Sequence, residues 1–279
     1  MTPEAYCQRK AAASGSSFYY SFLFLPRERR RAITALYAFC REVDDAVDET
    51  ADAQLAATKL AWWRQEVGLL FAGRPQHPVS RALQPALGAY GITAARLNEI
   101  IDGMEMDLTQ SRYLDFAALE RYCYHVAGVV GMLAAGIFGY RDARTLDYAQ
   151  RLGTAFQLTN IIRDVGEDAR KNRIYLPAAD LQRFGVSAAD ILQARHSDAF
   201  VALMRFQAER ARKYHDDALA ALPAVDRRAQ RPGLIMAAIY RALLAEIERD
   251  GFPVLKGRTS LTPLRKFWIA WKTWLSAQQ

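Results

Sequence analysis

Two acidic clusters sit at helical spacing on separate stretches of the chain: Asp44-Asp45-Ala46-Val47-Asp48 and Asn160-x3-Asp164-x3-Asp168. Oxygen-bearing side chains repeated every fourth residue share one face of a helix. Carboxylates packed that closely repel one another, a cost most easily borne when a cation sits between them. Magnesium suits such a donor set, because it takes oxygen ligands and commonly bridges a few carboxylates to the phosphates of a substrate. The competing reading makes these acids solvated surface groups paired with Arg41, Arg163, Arg170 and Arg173. A lone DxxxD pattern would leave that open. Two clusters, one of them continuing an apolar stripe, favour a metal site built from Asp44, Asp48, Asn160, Asp164 and Asp168.

The helices that must carry these residues are legible in the surrounding pattern. From Ile33, the apolar residues Leu36, Tyr37 and Cys40 recur at i+3, i+4 and i+7, a helical stripe. Asp44 and Asp48 follow within roughly 60° of it, while Asp45 turns further away. They are therefore expected to extend the buried face. Between Leu152 and Asp168, Leu158, Ile162 and Val165 form one apolar side. Gly153, Gln157, Asn160, Asp164 and Asp168 form a polar stripe opposite, with Phe156 and Ile161 at its margins. A helix of this kind suits the wall of a lined cavity.

Half of the 279 residues are apolar, enough for one large core or two smaller ones. Period-two alternation is almost absent, so strands are not expected. Helical stretches are predicted at 28–50, 53–72, 79–90, 93–110, 115–139, 143–168, 188–195, 197–220 and 229–250. Breaks fall at Gly73-Arg74-Pro75, Gly91, Leu176-Pro177 and Gly251-Phe252-Pro253. No linker, repeat or low-complexity segment divides them, and one all-α domain over 1–279 is the economical reading.

Other properties narrow the function. Cys7, Cys40 and Cys123 show no disulfide or metal spacing, which fits a reducing, cytoplasmic compartment, and the four histidines show no zinc spacing. The polar start, Met1 to Lys10, has no secretory apolar region. Tyr122 to Tyr140 is a run of 19 uncharged residues, but His125 and three glycines dilute it, so a buried central helix is expected rather than a membrane span. The net charge of +7 comes from scattered basic residues with no nucleic-acid-binding motif. Phosphorylated substrates and a membrane surface fit that charge better than nucleic acid. In the tail, 264–279, Leu264, Phe267, Trp268, Trp271 and Leu275 share one helical face, with Arg265, Lys266 and Lys272 nearby. Such a helix can lie in a headgroup layer at the inner face of a membrane, or dock on the core.

Taken in order, these blocks resemble the squalene/phytoene synthase family of head-to-head prenyl transferases. The resemblance rests on Ser14-Gly15-Ser16-Ser17-Phe18, Tyr37-Ala38-Phe39-Cys40-Arg41-Glu42-Val43-Asp44-Asp45 and Gly103-Met104-Glu105-Met106-Asp107-Leu108. It continues through the block from Tyr122 to Gly131, the block from Gln157 to Asp168, and Tyr240. Within the family, the stretches Ala11 to Phe22, Leu60 to Val67 and Pro263 to Leu275 are most similar to bacterial presqualene diphosphate synthases of hopanoid and squalene biosynthesis.

The resemblance implies an isoprenoid synthase bundle around a central cavity and a magnesium-dependent condensation of two farnesyl diphosphates to presqualene diphosphate, with no NADPH required. It implies that Asp44 and Asp48 face Asn160, Asp164 and Asp168 across magnesium ions. It places Ser17, Arg41, Gln157, Asn160, Arg163, Arg173 and Tyr240 on substrate, and Tyr37 and Tyr122 near the reacting carbons. Gly15 stands where the family often has another serine. The alternatives are a phytoene or dehydrosqualene synthase, which share the acidic motifs, or a two-step squalene synthase using NADPH. A terpene cyclase fits less well, since its second motif usually runs Asn, Ser or Thr, then Glu. A non-enzymatic membrane adaptor leaves the acidic ladders unexplained.

Overall fold

Capping residues and apolar periodicity set the helices of the computed structural model, which describes residues 1–13, 21, 22, 24–50 and 52–276. We label them α1 Pro3–Ala13, α2 Arg27–Asp48, α3 Ala53–Phe71, α4 Pro78–Leu83, α5 Ala86–Tyr90, α6 Ala94–Thr109 and α7 Phe116–Cys123. There follow α8 Val129–Phe138, α9 Arg144–Arg170, α10 Ala178–Arg183, α11 Ala188–Leu192, α12 Asp198–Ala221, α13 Arg231–Arg249 and α14 Pro263–Ser276. The Asp52, Thr93, Asp115 and Ser197 side chains accept backbone N–H groups at the starts of α3, α6, α7 and α12, removing orphan donors that would otherwise face solvent or core. Among the described residues there is no strand, only an isolated bridge between Arg112 and Ile174.

Most predicted helices are present, with three local departures. The expected helix at 79–90 is two short ones, because Pro85 has no N–H to continue the first. The expected helix at 115–139 is interrupted by a π turn, Tyr124–Gly128. The expected helix at 188–195 shortens to Ala188–Leu192, while α1 and α10 were not anticipated.

The long helix α9 is the axis of the bundle. It packs against α7, the π turn, α8, α11, α12, α13 and a 3₁₀ turn at Pro253–Leu255. One apolar cluster joins α9, α12 and α13 through residues such as Leu158, Ile162, Phe200, Leu203, Ile239 and Leu243. A second joins α2, α3, α6 and α8 through Leu36, Phe39, Leu60, Leu97, Ile101 and Leu133. Half-buried faces of α2, α9 and the π turn lie between the clusters.

Contact between the π turn, α8 and α9 is made backbone to backbone. A Cβ on Gly153 would stand 2.3 Å from the Ala127 carbonyl oxygen, and one on Gly131 would stand 2.3 Å from that of Ala149. Glycine is required at both positions for the approach. The run Phe116–Phe138 is long and apolar enough to cross a bilayer, but Val129, Leu133 and Ile137 are fully buried in the bundle, as expected of a core helix.

The close approach gives a direct test. Gly153→Ala should destabilise the chain by about 1–3 kcal/mol, because the obstructing atom is backbone and cannot rotate away. Gly68, inside α3 with nothing within 4 Å of an added Cβ, should behave oppositely. Gly68→Ala should stabilise by up to about 1 kcal/mol through helix propensity. Thermal unfolding followed by circular dichroism reads both, and equal effects would show that α9 is not seated by these glycines.

Candidate active site

Few residues of α2 and α9 pack directly on each other; Lys171 and Arg173, just beyond α9, reach across to Asp48 on α2. Along α2 the core is held by Leu36, Phe39, Val43 and Val47. Tyr37, Cys40 and Asp44 form the adjacent, half-buried line, and Asp48 at its end is exposed. This corrects the sequence expectation: Asp44 and Asp48 do not extend the buried stripe but border it. A carboxylate in the apolar stripe would lose its hydration without gain, whereas on the bordering line it reaches the space between the two clusters.

Each ladder is threaded with cations. Arg41 donates to Asp44 at 2.6 Å and to Asp45 at 2.7 Å, and Lys10 of α1 reaches Asp45 at 2.7 Å. Asp48 accepts from Arg173 at 2.7 Å and Lys171 at 2.9 Å, both just beyond the end of α9. Burial pushes the Asp48 carboxyl up, but the bonds from Lys171 and Arg173 outweigh it and hold the group below its ordinary value. Asp164 is gripped by its neighbour Arg163 and by Arg258 at 3.1 Å. Arg41, Arg163 and Arg173, proposed from sequence to meet phosphate, thus stand at the carboxylates.

Between the ladders stands Asp107 of α6, which sequence reasoning quoted within a motif but gave no role. Its two oxygens accept the hydroxyls of Tyr122 at 2.9 Å and Tyr175 at 2.8 Å. The Tyr122 and Tyr175 rings stack with centroids 5.2 Å apart, and Tyr113 stacks on Tyr175 at 5.8 Å. The π turn explains the placement: it bulges onto Gly103, one turn before Asp107, where a Cβ would lie 2.7 Å from the Val126 side chain. Burial raises both phenols, so they stay protonated and donate.

Three carboxyls of the site are raised above their ordinary values. Burial, then repulsion from Asp164, pushes Asp168 up to about 7; it has no ion pair among the described residues. Burial raises Asp44 to about 6, opposed by Arg41 and reinforced by Asp48, and raises Asp107 to about 6 against the pull of its tyrosines. Removal from water is the largest cause in all three, opposed in part by the neighbouring cations, so these carboxyls report dehydration.

Asn160 supplies a second sign. Its Nδ2 donates to Gln157 Oε1 at 3.3 Å, while its Oδ1 is buried with no hydrogen-bond partner. A buried carbonyl oxygen without a donor is costly, and a cation would satisfy it. Among the described residues no three acids form a ready-made ion cage. Magnesium does not require one, because it keeps waters and binds through one or two carboxylates together with substrate phosphates. The all-oxygen donor set, the raised carboxyls and the orphaned Asn160 oxygen fit that ion.

Apolar and aromatic groups line the rest. Tyr240 packs on Phe156 with centroids 4.6 Å apart and feels the charge of Arg163 and the Tyr37 hydroxyl. Tyr37 also lines a cavity of about 670 Å³ whose wall mixes Phe22, Ala86 and Tyr90 with Glu28, Arg30 and Arg31. Ser17 lies outside the described residues. Sequence reasoning missed Arg258 and Tyr175, and gave Lys266 only to the tail. Burial, then the charges of Arg163 and Arg258, pushes Lys266 below its ordinary value, which places it at the same cationic corner. Arg258 reaches Asp164 because Gly166 lets the 253–255 turn rest on α9: a Cβ there would sit 2.5 Å from the Val254 and Leu255 carbonyl oxygens.

This geometry predicts a coupled pair of variants. Gly166→Ala should lift the turn and weaken binding of magnesium diphosphate by roughly tenfold, and Arg258→Ala should do the same. Because the glycine acts through the arginine, the double variant should be little worse than either single. Calorimetric titration of the four proteins checks this, and additive losses would show that Gly166 does not position Arg258.

The squalene/phytoene synthase family model matches residues 11–265. A 15-cis-phytoene synthase from Synechocystis sp. is 36% identical, over 99% of this chain and 86% of that protein. The 15-cis-phytoene synthase of Synechococcus elongatus is 35% identical over 94% of this chain and 90% of its own. A solved dehydrosqualene synthase superposes with a TM-score of 0.90 at 28% identity, covering 99% of this chain and 96% of its own. A squalene synthase from Alicyclobacillus acidocaldarius gives 0.81 at 30% identity, over 90% and 94%. With the match running through both acidic ladders and nearly end to end, the chain belongs to the squalene/phytoene synthase family.

Proposed function

We propose that the chain couples two prenyl diphosphates head to head, in the 1'-2-3 sense, releasing one inorganic diphosphate. Membership of the family makes it an enzyme of the prenyltransferase type whose substrates are prenyl diphosphates. The observation that carries the reading is the pair of carboxylate ladders with the dehydrated Asp107 and the unpartnered Asn160 oxygen beside them. Asp44, Asp48, Asn160, Asp164 and Asp168 would hold magnesium, which supplies positive charge to the diphosphate leaving group when bound.

The chain's own residues do the rest. Arg163, Arg258 and Lys266 form a cationic corner that can orient diphosphate oxygens, with Arg41 and Arg173 at the facing ladder. As the donor C1–O bond breaks, its electron pair leaves with the diphosphate, and C1 is joined by the C2–C3 double bond of the acceptor. Loss of a proton from that C1 to the released diphosphate leaves the C–H electron pair to form the bond to C3 that closes a cyclopropane. Tyr37, Phe156 and Tyr240 wall the space on which the allylic cation depends; they keep water out and turn ring faces toward positive charge. Asp107, fixed by Tyr122 and Tyr175, holds the α6 wall at an anionic potential opposite both ladders.

Chain length separates two readings. The blocks Ala11 to Phe22 and Leu60 to Val67, with solved neighbours named dehydrosqualene and squalene synthase, support two farnesyl diphosphates and presqualene diphosphate. The curated relatives are named phytoene synthase, and they support a geranylgeranyl substrate better than they support the farnesyl one.

Incubation with magnesium and each labelled substrate, without reductant, decides between them. The first reading expects presqualene diphosphate from farnesyl diphosphate, unchanged by NADPH. Preferential use of geranylgeranyl diphosphate to give phytoene establishes the second, and no coupled product from either removes both. In the same assay Asp44→Asn, Asp107→Asn and Asp164→Asn should each lower turnover on the order of 10²-fold or more with helix content intact. Near-normal turnover in any of them takes that residue out of the mechanism.

A further inference from the structure

The helix α14 has two unlike faces. Lys266, Ile269, Ala270, Thr273 and Trp274 turn inward; Ala270 is buried, and Ile269 and Trp274 pack on the core. The opposite face carries Leu264, Phe267, Trp268, Trp271 and Leu275, exposed by 84%, 50%, 59%, 41% and 40%. The sequence left docking on the core and lying on a membrane as alternatives; the structure has the first on one face and leaves the other face uncovered. At the inner edge of that face Phe24 stacks on Trp274 at 5.4 Å and is itself 37% exposed.

Positive charge predominates around this face. From residue 251 to the end there is no acid, against Lys256, Arg258, Arg265, Lys266 and Lys272. Arg265 is spent on Glu246 and Lys266 turns to the active site, which leaves Lys256 and Lys272 exposed. Beside Trp274 and Phe24 opens a cavity of about 710 Å³ where Arg141 and Arg228 are exposed, while Arg29 donates to the Phe138 carbonyl oxygen and Arg231 lies over the Trp274 ring at 5.6 Å. Its acid, Asp226, is already engaged by the backbone N–H groups of Arg141 and Asp142 and by the Thr145 hydroxyl.

We propose that the outer face of α14 and the arginine-lined cavity beside it form a docking surface for an anionic lipid bilayer. Tryptophan and phenylalanine on one helical face enter the headgroup region, and guanidinium groups next to them meet lipid phosphates. A second protein copy would be repelled by the same cations, which disfavours self-association. The location matters because Lys266, on the inner face of α14, stands close enough to Arg163 and Arg258 to feel their charge, so one helix diameter, about 10 Å, separates bilayer from diphosphate corner. A substrate with a long apolar tail could pass from lipid to site without crossing water. That purpose rests on the proposed prenyl diphosphate chemistry; the docking itself does not.

Sedimentation with vesicles of phosphatidylcholine, with and without phosphatidylglycerol, tests docking without any substrate. The full chain should bind the anionic vesicles, release in high salt, and ignore pure phosphatidylcholine. Phe267→Ser, Trp268→Ser and Trp271→Ser together should weaken binding by roughly tenfold or more, and Arg228→Ala by about fivefold. Circular dichroism checks folding; should the triple variant unfold, quenching of the native tryptophans by brominated lipid in the unmutated chain reads the same contact. Equal sedimentation of full chain and variants, or absence of quenching, overturns the proposal. So does a full chain that forms dimers dispersed by the triple variant while ignoring vesicles. A chain that docks yet couples no prenyl diphosphate would refute the proposed activity and leave docking intact.

Discussion

Carboxylates confined near one another out of water set the terms for the rest of this molecule. Asp44, Asp107 and Asp168 come from three different helices, and burial with mutual repulsion raises each into the range of about 6 to 7. Arg41, Arg163, Arg173 and Arg258 relieve part of that repulsion, and two tyrosine hydroxyls relieve another part at Asp107. What remains is dehydrated carboxyls, Asp168 without an ion pair among the described residues, beside an orphaned amide oxygen. An arrangement of this kind costs stability, and a fold keeps it only where the surrounding packing leaves the side chains no way to separate.

That packing is supplied by small residues rather than large ones. Gly131 and Gly153 bring α8, the π turn and α9 to backbone contact, Gly103 receives the π turn on α6, and Gly166 receives the 253–255 turn on α9. Two of these contacts seat a charged or hydroxyl group: Tyr122 on Asp107 follows from the second, Arg258 on Asp164 from the third. The two apolar clusters then clamp the charged faces between them, so the site is rigid on its helices, with a cavity alongside at Tyr37.

Much of this was legible in the sequence because long amphipathic helices declare themselves. The positions of α2, α6, α9, α12 and α13 followed from apolar spacing, and both ladders from their repeat. Periodicity could not separate a buried stripe from the line bordering it, one residue step around the helix, so Asp44 and Asp48 were read as core-facing. Asp107, Tyr175 and Arg258 carry no local signal: each belongs to the site through a contact made 60 or more residues away in sequence, or through a glycine whose neighbour is another chain segment's backbone. The π turn was invisible for a related reason, since the run around it is apolar whether the helix is regular or not.

The central claim is that the acid ladders and Asn160 are a metal–diphosphate site rather than an ionic clasp. Anomalous diffraction from crystals grown with manganese and inorganic diphosphate tests it most directly. The account predicts manganese peaks between α2 and α9, with the Asn160 Oδ1 about 2.1 Å from one of them, and the guanidiniums of Arg41 and Arg163 turned from Asp44 and Asp164 toward phosphate oxygens. Diphosphate bound with no manganese at these residues, and every arginine still on its carboxylate, would contradict it.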